Sequence, residues 1–164
     1  MFIGVVANSS NVKQIKKDII ENLKSEVISI NSKSIENVKN IKFETIIIQD
    51  LMENLKDKTI YLKEILKNTK YILLNSDLII DSEIFENVRA QIITYGLKQK
   101  STITMSSIEN NPAIISIQRS FKNLKGEIIE QQEIPIKINE NQAKKTYNLL
   151  IKTAIINIYG GKKC

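Results

Sequence analysis

The residues best equipped for chemistry stand where apolar runs stop. Asn8, Ser9, Ser10 and Asn11 follow the apolar stretch 2–7 and lead into Val12, Ile15, Ile19 and Leu23, which recur at helical spacing. Such residues at a helix start can hold an anion, because unpaired backbone N–H groups converge there. They also cap a helix with no ligand at all, and capping needs nothing beyond these residue types. Capping is therefore the first expectation. Asp50, Asp77 and Asp81 stand at or just beyond the ends of two other apolar runs. If those runs are strands of one sheet, their carboxylates meet at its edge and suit a divalent cation. Solvated carboxylates at strand ends and helix caps are the simpler outcome, so no metal is expected and the three stand only as candidates. A phosphoacceptor role for Asp50 would want acidic metal ligands after the first run, where Ala7 and Asn8 stand instead.

Arg119 shares strand phase with Ile115, Ile117 and Phe121, which should face one side of a sheet. A buried unpaired charge is costly. Arg119 is thus expected at a rim or against a carboxylate, with ligand contact as the alternative. The sequence has no His, which removes the commonest general base and zinc ligand. No residue is assigned a catalytic role. The one cysteine, Cys164, cannot form a disulfide within the chain, and only Lys162 and Lys163 stand near it to activate its thiol.

The elements that must position these groups are marked by apolar patterning. From Tyr71 the chain reads as a near-continuous apolar run ending in Asn75, Ser76 and Asp77, then a short helical turn, then a second such run ending at Tyr95 and Gly96, the signature of strands covered on both faces. Residues 2–7, 26–30 and 43–48 read as further strands, and 57–69 as an amphipathic helix through Tyr61, Leu62, Ile65 and Leu66. Residues 31–41 read as a loop with a turn of helix. After Gly96 the runs 101–108, 113–121 and 127–138 alternate more. Asn110, Asn111 and Pro112 separate the first two, and 123–126 separates the others. These predict an antiparallel meander. Tyr147, Leu150, Ile151, Ala154, Ile155 and Ile158 share a stripe on a closing helix, 141–159, stopped by Gly160 and Gly161.

The expected fold is α/β: a mainly parallel open sheet flanked by helices, with an added antiparallel meander and a C-terminal helix. With 164 residues it is expected to form one domain. Its parallel α/β region covers residues 1–98, the meander residues 99–140 and the closing helix residues 141–161. The formal charge of +6 comes almost entirely from lysine, with Arg89 and Arg119 the only arginines. Lysines interleaved with Glu and Asn, without an arginine cluster or aromatic platform, argue against nucleic acid as partner. The short apolar start has no basic flank before it and is a strand rather than a signal or membrane span. A cytoplasmic protein with no membrane attachment is expected.

The order of these elements, with several phrases in them, resembles the central, ATP-binding domain of the Mur ligase family. The phrase Phe2-Ile3-Gly4-Val5-Val6-Ala7-Asn8-Ser9 is similar to the strand and loop carrying that family's phosphate-binding motif. Leu73-Leu74-Asn75-Ser76-Asp77 is similar to its Asn-x-Asp-Asp strand end, and Ile92-Ile93-Thr94-Tyr95-Gly96 to the strand that follows. The hairpin through Gln118, Arg119, Gly126 and Glu127 and the helix with Tyr147, Asn148, Leu149 and Leu150 occupy matching places. The resemblance spans nearly the whole chain and implies a P-loop type of sheet. It puts the candidate nucleotide- or anion-binding positions at Asn8, Ser9, Ser10, Asn11, Asn75, Asp77 and Asn148.

The departures bear on function. The family's loop reads Gly-Thr-x-Gly-Lys-Thr/Ser: glycines admit the phosphates, the Lys neutralises charge and the hydroxyl holds magnesium. Here the Lys position is Asn11 and the hydroxyl position Val12, while Lys13 is turned about 200° away on a helix. The family's metal-binding Glu falls on Gln49 and its His near Glu140. The family's flanking domains have no counterpart in this length. The resemblance therefore implies a non-catalytic binding or scaffolding domain without cofactor, whose partner is another protein or a small anionic ligand. The alternative is a nucleotide-dependent ligase or transferase subunit with a rearranged phosphate loop, which alone would call for ATP and magnesium.

Overall fold

The computed structural model describes residues 1–17, 23, 25–51, 53–107, 112–137 and 145–160. Ile19, the turn at Asn110 and Asn111, the Glu140 position, the helix start at Asn141, Gly161 and Cys164 lie outside the described residues. The fold is α/β, and the chain forms two compact units, Met1–Ile92 and Ile93–Cys164.

In the first unit, β1 (Phe2–Val6) leads into α1 (Ser9–Ile15), followed by β2 (Glu26–Ile30), α2 (Ile35–Val38) and β3 (Thr45–Ile48). A 3-10 segment (Glu53–Lys58) runs into α3 (Thr59–Lys67), then β4 (Tyr71–Asn75) and a second 3-10 turn (Ser82–Phe85). The amphipathic stretch expected as one helix over 57–69 is thus a tight 3-10 entry and a nine-residue α-helix. All pairings are parallel, in the order β2-β1-β3-β4. Every residue of β3 is buried, as are four of five in β1, which is why these strands are nearly all apolar. Val6, Ile46, Ile48 and Ile72 on one face pack into a core with Leu62, Ile65 and Leu66 of α3 and Ile35 of α2. Ile3, Val5, Ile47 and Leu73, one step out of phase, are buried on the opposite face.

The division between the units falls within β5 (Gln91–Tyr95); after it the second unit contains β6 (Ile103–Ser107), β7 (Ala113–Ile117), β8 (Phe121–Lys122), β9 (Ile128–Ile129), β10 (Gln132–Ile136) and α4 (Thr146–Tyr159). β6, β7 and β10 pair antiparallel in sequence order, as the meander requires. One detail adds to the sequence reading and one corrects it. β6 runs parallel to β5, joined by the single pair Tyr95 and Ile103. The stagger explains the short link: β6 begins where β5 ends, so no crossover along the strand is needed. Thr94 Oγ1 fixes the join by accepting the Thr102 N–H at 2.8 Å. The runs 113–121 and 127–138 also do not continue as single strands. Each breaks, and the inner pieces form the separate hairpin β8–β9 around Gly126, whose φ is +81°. Pro135 lies on the outermost strand, β10, where a missing N–H costs least.

Helix α4 buries Leu150, Ile151, Ala154, Ile155 and Ile158 and ends at Gly160 with φ +66°, a left-handed cap that suits glycine. Tyr95 is wholly buried in this unit, and that burial pushes its phenol well above the ordinary range, with Tyr147 adding to the effect. Below about pH 10 both folded and unfolded states keep the proton, so the contribution to stability is fully present. Above it the unfolded chain ionises first, and stability falls as pH rises through the folded value, at up to about 1.4 kcal/mol per pH unit. Denaturant melts between pH 9 and 12 should show this slope, and Tyr95→Phe should flatten it.

Candidate ligand site at the strand ends

In an open parallel sheet, ligands bind outside the carboxyl ends of strands where the order reverses. In the first unit that place lies between β1 and β3, since the chain leaves β1 toward β2 and later returns on its other side. Four of the candidate residues follow β1 directly.

The connection from β1 to α1 is Ala7 and Asn8 alone. Asn8 is extended (φ −64°, ψ 159°) and its Oδ1 accepts both the Asn11 N–H at 2.9 Å and the Ser10 hydroxyl at 2.8 Å. Its carbonyl accepts the Val12 N–H at 3.0 Å. Asn8, Ser10 and Asn11 thus satisfy one another as a helix cap. Ser9 and Ser10 are exposed. A phosphate loop, by contrast, needs a wide glycine-rich turn whose N–H groups remain open to the ligand.

At the ends of β3 and β4 the arrangement is also tight. The N–H groups of Gln49 and Asp50 both donate to the Val6 carbonyl, at 3.0 and 3.2 Å. Asn75 is only 7% exposed; its Nδ2 donates to the Gln49 carbonyl at 3.2 Å and its Oδ1 accepts the Asp77 N–H at 3.0 Å. One amide therefore ties the end of β3 to the turn after β4. Asn75→Ala is expected to lower stability by about 1–3 kcal/mol, because a buried carbonyl and N–H lose their partner; chemical denaturation would measure it.

Asp50 and Asp77 are half-buried and Asp81 is exposed. Asp81 accepts the Glu83 N–H at 3.0 Å and caps the second 3-10 turn. Among the described residues no group of three or more His, Cys, Asp or Glu is placed to hold a metal. Asp50, Asp77 and Asp81, considered together as a cation site, are thus not assembled into one.

The residue at these strand ends that sequence reasoning did not put forward as a ligand contact is Gln49. Its Oε1 is buried without a hydrogen-bond donor, although a buried acceptor ordinarily has one. Its place directly after Ile46, Ile47 and Ile48 was the available signal. Chemically it is an acceptor for an N–H or O–H group.

Two candidates belong to the second unit. Asn148 is half-buried in the first turn of α4. Arg119 is exposed in the bend after β7. The strand phase that was to align Arg119 with Phe121 ends at Ile117, so the side chain is solvated and needs no buried partner.

No model of a known protein family matches this chain, and no curated protein matches it.

Proposed function

We propose that this chain is a non-catalytic, Mur-ligase-like α/β binding domain that works in the cytoplasm by engaging another protein or a small anionic ligand, without nucleotide turnover. The observation that carries this reading is the closed cap formed by Asn8, Ser10 and Asn11. Its acceptor is used within the chain, and Asn11 and Val12 stand where a phosphate loop needs a cation and a magnesium-binding hydroxyl. Phosphoryl transfer proceeds by positioning and charge neutralisation. A loop lacking both groups offers little of either. A second reading, a nucleotide-dependent ligase or transferase subunit, is favoured by one feature: the donorless Oε1 of Gln49 at the strand ends, which a ligand N–H would satisfy.

The two readings separate in one titration. Ligand at 100 times its Kd stabilises the folded state by about 2.7 kcal/mol, several degrees in melting temperature for a chain of this size. The full chain in millimolar ATP and magnesium is expected to melt where it melts alone and to release no phosphate. ATP-dependent stabilisation with turnover, both lost in Asn8→Ala or Asp77→Ala, would overturn the proposal.

A further inference from the structure

Within the first unit, a cavity of about 690 Å³ opens between the start of α3 and the segment leaving β4. Its apolar lining is Leu51, Ile60, Ile79, Ile80 and Ile84. Ile84 is buried and anchors the floor, whereas Ile60 is 65% exposed and Ile79 fully exposed. Two isoleucines projecting into water at one groove are unusual for a surface that meets solvent only. They stand up as knobs and do not close over the cavity, whereas a small-molecule pocket buries most of its ligand's surface.

The charged residues of the rim are Lys63, Asp81 and Glu83. Lys63 lies in the groove but pairs with Glu86 at 3.6 Å. Asp81 and Glu83 remain there as exposed carboxylates, with the Asp81 side chain bonded to a backbone N–H. The groove is thus locally acidic in a chain whose formal charge is +6. That contrast selects the occupant. A second copy of this basic chain would be repelled overall, while a short basic segment is held away from most of the surface and attracted here. Apolar knobs beside an open groove match the ridged apolar face of a helix.

We propose that this groove docks a cationic amphipathic helix of a partner protein, its Leu or Ile face against Ile60 and Ile79 and its Lys or Arg flank toward Asp81 and Glu83. The proposal rests on the reading of the chain as a binding domain and names the partner's chemistry. Two fluorescein-labelled 18-residue peptides test it with the full chain: one carrying Leu and Lys at amphipathic helical spacing, the other with Glu in place of every Lys. Fluorescence anisotropy should show saturable binding of the Leu/Lys peptide and at least tenfold weaker binding of the Leu/Glu peptide. Ile79→Ser, which removes the apolar knob without adding charge, should weaken the Leu/Lys peptide at least tenfold with the melting temperature unchanged, since Ile79 is fully exposed. The pair Asp81→Asn and Glu83→Gln, which keeps a capping acceptor, should weaken it at least threefold. Equal binding of both peptides, indifference to Ile79→Ser, or a dimer in sedimentation that Ile79→Ser dissociates would overturn the proposal. The ATP titration reads a different place, so failure of one experiment is distinguishable from failure of the other.

Discussion

Phe43→Ala is expected to lower the stability of the Met1–Ile92 unit by about 3–5 kcal/mol, the largest effect expected of any single truncation in it. Phe43 is 2% exposed and sits in the core with Ile30, Ile46 and Leu62. Its ring precedes β3 and packs over the face of the sheet beside Gly4 of β1, so its loss leaves a void against two strands that are fixed to each other by backbone pairing. Strands held in register cannot close a gap as a loop can, and the lost contacts are not recovered. With total stabilities of about 5–15 kcal/mol in proteins generally, this change consumes much of what the unit has. Circular dichroism melts should fall by more than about 10 °C, and hydrogen exchange should rise first in β1 and β3. Phe43 is at the opposite end of β3 from Gln49, so peptide binding at the groove, measured well below the melt, should be little changed. A melting temperature within about 2 °C of the parent would show that the core is less tightly packed than described.

The second large effect comes from adding atoms in place of removing them. Gly4 lies in β1 against the same cluster, and a Cβ there would overlap Ile46 Cδ1 and lie 2.7 Å from Ile30 Cδ1 and 3.1 Å from Phe43 Cδ1. Gly4→Leu is expected to cost about 3 kcal/mol or more, since three side chains, on β2, β3 and the segment before β3, must move together. Gly4→Ala should be milder, about 1–3 kcal/mol, because isoleucine ends can swing aside. Ile46→Val removes the Cδ1 that occupies the new position, so Gly4→Ala combined with Ile46→Val should lose less than the sum of the two by about 0.5 kcal/mol or more. Strict additivity in chemical denaturation would mean that Gly4 is tolerated for another reason.

The strands were the most legible elements. Residues 45–48 and 71–75 are apolar almost throughout because both faces are covered, and polar residues at 49, 50 and 75–77 mark where covering ends. Local chemistry also announced the Asn8 cap, the 123–126 turn and the Gly160 stop. What failed to show was anything depending on distant partners. Nothing between Ile117 and Phe121 is glycine or proline, so the bend that exposes Arg119 left no mark. The parallel join of β5 to β6 depends on a stagger of pairing, which residue types do not encode.

The sequence by itself determined the composition of the elements: which runs are strands, where several helices start and stop, and that Asn8 to Asn11 supply caps and no cation. These follow from periodicity and from the chemistry of single residues. Tertiary structure alone decided that the Asn75 amide reaches the Gln49 carbonyl 26 residues away, that Asp50, Asp77 and Asp81 form no metal cluster, and that Ile60 and Ile79 share a groove and face water. The reason is physical. An isoleucine favours burial wherever it stands, and only the packing of the remaining chain settles whether there is anything to bury it against.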